Sequence, residues 1–453
     1  MADDPNFSAG ARAQLDVSKI QLLDFWGPIV ARLRHEKCLV LAVSGGPDSL
    51  SMLVGLATLA HHRELDARLV VVTVDHGLRE EARHEAQTVA ELSAHLGLEC
   101  FIERLTPPAG RGNTQAWARQ NRYQVLTRVA EAKGGAIVTA HTLDDQAETF
   151  LMRAARGTGS SGLGAIKATS TVNGVRLLRP FIDVSAATLR QTLDDLTVYP
   201  AQDPSNSDPS YTRVRFRQWL GSGPEPDGSK SLHEGFAQSA ALLAVESDAL
   251  LHYAKKELEA FVGFNAGYAI GSLECSTPLP VRARALSLLL RTIGRRDPGC
   301  EQPSLSKLSD LAAAVRSKFE GRFVIAGACL SWTHLGAESG NIELTVSAEA
   351  GRGGFRAVEV APEERVVWDD RFAVFNGSED TIRIESWNGR YADLGNNRRY
   401  GRIARTLPVA VPADSDDLYD ASKIRSVPRS AEEFFGFKRN EEIPIAFLPK
   451  IPE

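Results

Sequence analysis

The chain predicts an α/β fold: a doubly wound parallel sheet, then a helical middle domain and a small mixed or strand-rich C-terminal module. Three observations predict it. Short apolar runs alternate with helical stretches over about 150 residues, the pattern of a parallel sheet with crossover helices. The polar clusters at Ser44–Ser49, Asp75–Arg79 and His141–Glu148 fall at the carboxyl ends of these runs, the edge where such sheets bind ligands. A stretch dense in Gly, Pro and Ser, GSGPEPDGSKS, then separates this region from further helices. The expected division is an extension and helix (1–34), the α/β domain (35–220), a linker (221–232), a mainly helical domain (233–350) and a C-terminal module (351–453).

Each element has its own local reason. Residues 18–34 carry Ile20, Leu23, Trp26, Ile29, Val30 and Leu33 at helical spacing, with Gly27-Pro28 expected to kink or divide the helix. Leu39–Val43 is a continuous apolar run, read as a buried strand, and helical periodicity resumes at Leu50. Ala67–Val74 is a second buried strand, followed by a helix over 80–96 that Gly97 stops. Glu99–Arg104 reads as a third strand, Asn113–Ala132 as a helix and Ala136–Ala140 as a fourth strand. A helix then starts directly after His141. Leu177–Phe181, a helix from Ser185 to near Leu196 and the polar stretch Gln202–Arg217 complete the domain. Beyond the linker, residues 233–262, 281–293 and 304–317 read as helices. Tyr268–Glu274 reads as a short strand, and Phe323–Cys329 with Ile342–Val346 as a hairpin pair.

Composition limits the functional classes. With 453 residues the chain is long enough for several domains, and a net charge of −5 excludes a polyanion binder as a whole. Any nucleic-acid surface must be a local patch. Arg282, Arg284, Arg291, Arg295 and Arg296 form one candidate, and Arg398, Arg399, Arg402 and Arg405 another. Cys38, Cys100, Cys275, Cys300 and Cys329 are scattered, with no CxxC pair, which fits reduced cytoplasmic thiols better than disulfides or a zinc site. The first residues, MADDPNFSAGARAQ, do not read as a secretory signal, and no run is long enough for a membrane span. Trp332, Trp368 and Trp387 read as core.

The chemistry concentrates at the strand ends. Ser44-Gly45-Gly46-Pro47-Asp48-Ser49 joins a strand to a helix N-terminus, where unpaired N–H groups and the helix dipole favour an anion. The loop lacks the Lys-Ser/Thr of a Walker A motif. It offers two hydroxyls and the carboxylate of Asp48, which beside a phosphate makes electrostatic sense with Mg²⁺ between them. Asp75 and His76 end the second strand. Asp144 and Glu148 lie one helical turn apart, on one face, with Asp145 adjacent. Arg119 and Arg122 lie with Tyr123 on a helix, a basic-plus-aromatic placement suited to nucleotide contact. Arg213, Arg215 and Arg217 alternate on what reads as an extended stretch, able to track a phosphate backbone.

SGGPDS followed by a helix resembles the signature of the PP-loop ATP pyrophosphatases, which cleave ATP between its α- and β-phosphates and adenylate a carbonyl oxygen. VDHGLR, AHTLDDQAETFLMRAARGTGSSGL and QDPSNSDPSYTRVRFR, in this order, resemble the tRNA-isoleucine lysidine synthases of bacteria. The likeness is close over residues 38–218 and loose over the last hundred. It implies ATP and Mg²⁺ as cofactors, with CAU-anticodon isoleucine tRNA and free L-lysine as partners. The implied reaction adenylates the C2 carbonyl oxygen of the wobble cytidine, releasing pyrophosphate, and the lysine ε-amine then displaces AMP from C2.

The same resemblance implies ATP contacts at Ser44, Gly45, Gly46, Pro47, Asp48, Ser49, Asp75 and His76, and metal binding at Asp48. Asp48, His141, Asp145 and Glu148 would be catalytic. Arg119, Arg122, Asp144, Arg153, Arg156, Asn206, Arg213 and Arg217 would meet tRNA or lysine. A homodimer and a cytoplasmic location are compatible with it. Gln202 and Val214 depart from residues common in relatives. The alternatives are a PP-loop tRNA thiolase making 2-thiocytidine, against which the absence of neighbouring cysteines counts, and a non-catalytic nucleotide- or tRNA-binding protein, against which the intact Ser44, Asp48 and Ser49 count.

Overall fold

The computed structural model describes residues 24–77, 81–107, 114–193, 208–210, 212–222, 231–261, 268–294, 303–336, 340–349, 354–369, 372–386, 406, 408–412, 424–428 and 443–444. The chain forms two units, residues 1–246 and 247–453.

The first unit begins with α1 (Trp26–Leu33), β1 (Cys38–Ala42), α2 (Pro47–His61), β2 (Arg68–Asp75), α3 (Glu81–His95) and β3 (Glu99–Arg104). It continues through α4 (Thr114–Lys133), β4 (Ala136–Val138), α5 (Leu143–Ala154) and a single turn, α6 (Ser160–Leu163). The hairpin β5 (Thr169–Val172) and β6 (Val175–Leu178) precedes α7 (Ala186–Arg190), and α8 (Thr212–Ser222) follows. The strand order is β3-β2-β1-β4-β6-β5. All neighbours run parallel except β5, which pairs antiparallel with β6 at one edge. The chain winds outward from β1 to β3, then crosses to β4 on the other side of β1. That reversal is the switch point at which doubly wound sheets open a crevice.

Strand pleating sends alternate side chains to opposite faces. Leu39, Leu41 and Val43 join a core with Trp26, Ile29 and the α2 residues Leu50, Leu53 and Leu56. Cys38 and Val40 join the other core, built on the α4 residues Val125, Leu126 and Val129. α2 is buried from Ser49 to Leu59. Gly55 makes this possible, since a Cβ there would lie 2.0 Å from the Trp26 ring.

Four local expectations need correction. Gly27-Pro28 opens α1 instead of dividing it, because a first-turn proline forfeits only an N–H that has no helical partner. The helix expected from Ser185 to near Leu196 is α-helical over Ala186–Arg190 and tightens to a 3₁₀ turn over Gln191–Leu193, with residues 194–196 outside the described residues. The arginines of 212–217 lie on helix α8, not on an extended stretch. Their i, i+2, i+4 spacing fits a strand face, but Arg213 and Arg217 are also one helical turn apart. Phe323–Cys329 is not one strand; it spans a turn at Ala326-Gly327, where both residues have positive φ.

Helix α9 (Leu232–Leu258) runs across the boundary between the units. In the second unit, β7 (Tyr268–Glu274), β8 (Glu320–Ile325), β9 (Ala328–His334) and β10 (Asn341–Ala348) form an antiparallel sheet, ordered β7-β10-β9-β8. α10 (Leu279–Ile293) and α11 (Leu305–Ser317) pack on it, so the region 233–350 carries a sheet beside its helices. Two further antiparallel sheets are strand-rich, as expected. They are β11 (Val358–Val360), β14 (Ile382–Ser386) and β15 (Pro408–Pro412), and β12 (Arg365–Trp368), β13 (Phe372–Asn376), β16 (Ile424–Pro428) and β17 (Ile443–Pro444). Trp332 and Trp368 are core residues as expected, and Trp387 lies outside the described residues.

Within the basic patch expected around Arg282, Arg291 is exposed and Arg284 half-buried, but Arg282 itself is not a surface residue. Arg282 is fully buried and donates through Nη2 to the carbonyls of Glu274, Cys275 and Thr277. Arg295, Arg296 and the run Arg398–Arg405 lie outside the described residues. Among the described residues, no helix is long and apolar enough to cross a membrane.

Candidate active site

β1 delivers the chain into a tight loop. Gly45 has φ +82°, a left-handed conformation that glycine adopts without strain. Gly46 caps α2, and Pro47 takes its first position. Ser49 Oγ donates to Gly46 O at 2.9 Å and accepts from Ser44 N at 3.2 Å, so one buried hydroxyl sets the curvature of the loop. Asp48, in the first turn of α2, receives Arg190 of α7 through Nε at 2.6 Å and Nη2 at 3.2 Å.

At the end of β2, buried Asp75 accepts from Gly77 N at 2.8 Å and lies 3.5 Å from Arg104 Nε. Among the described residues, buried His76 Nδ1 has no hydrogen-bond partner. Burial, and then the charge of Arg122, lower the pKa of this imidazole. A cavity of about 240 Å³ opens here, lined by Ala42, Ser44, Gly46, Val74, His76 and Arg122 among others.

The third strand end carries the acids. Thr142 caps α5 in a capping box, with the Asp145 carboxylate accepting from Thr142 N at 2.8 Å. Asp144 Oδ2 accepts from Ala186 N at 2.7 Å and so holds the start of α7. Glu148, only 1% exposed, accepts from Arg213 Nε at 2.5 Å and Arg217 Nε at 2.6 Å. Arg213 also reaches Asp145. Burial pushes the Asp145 carboxyl up, against the pull of Arg213 and the Thr142 N–H. The Asp48 charge acts on both Asp145 and Arg217, and that of Asp144 on Arg190, so the loop and the acid helix form one electrostatic cluster.

The other expected site residues separate. Arg153 Nη1 is engaged by the carbonyls of Gly162 and Ala165, both at 2.7 Å, and braces the turn after α5. Arg156 is exposed just beyond the end of α5. Asn206 and Gln202 lie outside the described residues, and Val214 is a core residue of α8. Sequence reasoning missed Arg190 and Arg179. Arg190 carried no local signal, because its partner Asp48 is 142 residues away. Arg179 directly follows β6, a ligand-edge position that could have been read as such.

A family model for the PP-loop domain matches residues 16–222. A tRNA(Ile)-lysidine synthase of Rhodopseudomonas palustris is 37% identical over 328 residues, covering 67% of this chain and 90% of that protein. One from Brucella suis is 33% identical over 407 residues, 87% of each. Among solved structures, a U34-tRNA thiolase of Methanococcus maripaludis aligns with TM-score 0.38 at 16% identity, over 50% of this chain and 79% of that one. The chain belongs to the tRNA(Ile)-lysidine synthase family.

The residues fit the nucleotide that a PP-loop domain takes. The cavity wall is apolar at Ala42, Val72, Val74 and Leu126, while the unpartnered His76 Nδ1 and Arg122 Nε supply convergent polar atoms. Among the described residues, no trio of His, Cys, Asp or Glu forms a ready-made metal cage. Mg²⁺ does not require one, since one or two carboxylates with substrate phosphates usually hold it, and Asp48 fits that mode.

His141, on the same edge in this member of the tRNA(Ile)-lysidine synthase family, lies 2.7 Å through Nδ1 from Thr139 Oγ1. Burial first, then Arg179, Arg122, Arg213 and Arg119, lower its pKa from 6.5 to about 3, so the folded protein holds it neutral. Below pH 6.5 the unfolded chain binds a proton that the folded chain refuses. The contribution of this group to stability is therefore present above that pH and is lost as pH falls toward 3, at about 1.4 kcal/mol per pH unit. Between pH 7 and 5 this amounts to about 2 kcal/mol. Urea unfolding of wild type and His141→Gln at both pH values measures it. The variant should lose less stability on acidification, and equal losses would refute the assignment.

Proposed function

We propose that this chain joins lysine to C2 of the wobble cytidine of CAU-anticodon isoleucine tRNA, consuming ATP and releasing AMP and pyrophosphate. The observation that carries the reading is the cluster joining the glycine loop of β1 to the acid-bearing helix α5 at one crevice. The names carried by the relatives, matched over up to nine-tenths of their length, support the substrate. The N–H groups of the loop and the α2 terminus receive the nucleotide's phosphates. Asp48 would hold Mg²⁺, which supplies charge neutralisation on those phosphates when bound.

The cytidine C2 carbonyl is a poor electrophile until adenylation makes its oxygen a leaving group. The attacking ε-amine must be neutral, so a nearby group must take its proton. Asp145, pushed up by burial, is suited to that step, and neutral His141 offers an acceptor nitrogen on the same edge. Glu148 and Asp144 supply the charge that draws the lysine ammonium in. ATP, lysine and tRNA all being cytoplasmic reagents, the reaction belongs in that compartment.

The test is direct. The protein is incubated with ATP, Mg²⁺, labelled lysine and total tRNA. Label should enter RNA only when CAU-anticodon isoleucine tRNA is present. ATP-dependent modification that requires a sulfur donor in place of lysine would overturn the reading.

A further inference from the structure

A loop that receives polyphosphate needs positive charge, and this one has none of its own. Ser44–Ser49 carries two hydroxyls and the Asp48 carboxylate but no Lys or Arg, where a Walker A loop brings its lysine. The cation arrives from elsewhere. Arg190, at the end of α7, meets Asp48 in the first turn of α2, with Nε 2.6 Å from Oδ1 and Nη2 3.2 Å from Oδ2. Packing fixes this placement. Leu189 is fully buried in one core with Leu50 and Leu53 of α2, and Asp144 holds the start of α7 through Ala186 N. The guanidinium itself stays nearly half exposed, and among the described residues Asp48 is its one hydrogen-bond partner. So solvated a pair adds little stability, so holding the fold does not account for it.

We propose that Arg190 is a catalytic residue of the adenylation step, the cation that binds the β- and γ-phosphates of ATP and receives the charge of the leaving pyrophosphate. The inference rests on the reading of the glycine loop as an ATP site with Mg²⁺ at Asp48. Placement selects the outer phosphates. The cavity meets the loop at Ser44 and Gly46 from the α4 face of the sheet, where Val72 and Leu126 line it, and neither Asp48 nor Arg190 is in its wall. Arg122 belongs to that end, and Asp48 does not figure among the charges acting on it. Arg190 meets the loop from the α2 face. A nucleotide with its nucleoside in the apolar-walled cavity and its phosphates over the loop runs from the first face toward the second. In the reaction the cytidine C2 carbonyl oxygen bonds to the α-phosphorus while the bond from that phosphorus to the oxygen of the β-phosphate breaks. The electron pair leaves on pyrophosphate. Arginine's planar fork donates to two oxygens at once, as it does to those of Asp48, and so suits that anion. Transfer of the fork to phosphate also frees the Asp48 carboxylate for the metal.

Calorimetric binding to the full chain, without lysine or tRNA, tests this. Arg190→Gln should weaken inorganic pyrophosphate with Mg²⁺ about tenfold and ATP–Mg²⁺ by a similar factor, while AMP, which lacks the outer phosphates, stays within about twofold of wild type. Arg190→Lys keeps the charge without the fork and should recover part of the loss. The wild-type chain gives a second reading that no folding defect can blur. Pyrophosphate with Mg²⁺, but not AMP, should shield Arg190 from phenylglyoxal, as located by peptide mass spectrometry. Equal weakening of ATP and AMP, an unchanged pyrophosphate affinity, or no shielding overturns the assignment. Failure of the wild-type chain to bind ATP–Mg²⁺ at all would instead remove the proposed function.

Discussion

Asp48→Asn is expected to abolish pyrophosphate release while leaving fold and tRNA binding in place. The carboxylate sits in the first turn of α2, where the glycine loop presents N–H groups to the same point. Neutralising it removes the one charge of the loop able to bridge a cation to phosphate. Metal-assisted charge stabilisation is worth several kcal/mol, so the rate of pyrophosphate release should fall on the order of a hundredfold or more. The fold should hardly notice. The ion pair with Arg190 is partly solvated on both sides, and such pairs contribute about 0–1 kcal/mol. The helix-start charge adds about 0.3–1 kcal/mol more. A pyrophosphate-release assay, a melting curve and tRNA binding separate the three effects. Surviving pyrophosphate release with lost tRNA affinity would move Asp48 out of the nucleotide site.

Glu148→Gln should damage both activity and stability. Glu148 is almost wholly buried and holds two arginines of α8, so its charge fixes the last helix before the linker onto α5. The amide that replaces it can accept from one guanidinium but turns an N–H₂ toward the other. Removing one partner of a buried pair costs about 3–5 kcal/mol. Here the arginines are nearly half exposed and can rehydrate, so about 2 kcal/mol is expected, or a melting point lower by about 4–8 °C. Adding Arg217→Gln should recover part of that loss, because it removes a cation left without its anion. Additive losses in the double variant would mean that the pair is not coupled.

What was legible in the sequence was local. The apolar run Leu39–Leu41, the glycine turn and the helix behind it declare themselves within a dozen residues. That the sheet is parallel and doubly wound follows from alternation of strands and helices. The partners that shape the site were not legible, because they arrive from far along the chain. Arg190 meets Asp48, Ala186 N meets Asp144, and Arg213 meets Glu148 across separations of 142, 42 and 65 residues. The α8 arginines were misjudged because a spacing of two satisfies a strand, while the spacing of four within it serves a helix. Arg282 looked like surface charge only because sequence does not reveal that its guanidinium caps three carbonyls in a core.

The pairing of acids with arginines at the crevice has a consequence for how reagents arrive. Asp48, Asp144, Asp145 and Glu148 stand against Arg190, Arg213 and Arg217, and Arg119, Arg122 and Arg179 act on the same edge, so the carboxylates do not dominate the charge there. A bare quartet of carboxylates would repel ATP and RNA well beyond the site, at distances of about a Debye length. The arginines at the mouth remove that barrier, so a polyanion and a free amino acid can approach the same opening. Capture of the amino acid then becomes an exchange, in which an incoming ammonium takes a carboxylate that a guanidinium gives up. Discrimination shifts from long-range attraction to contact geometry, and the Michaelis constant for lysine should be far less sensitive to salt than that for tRNA.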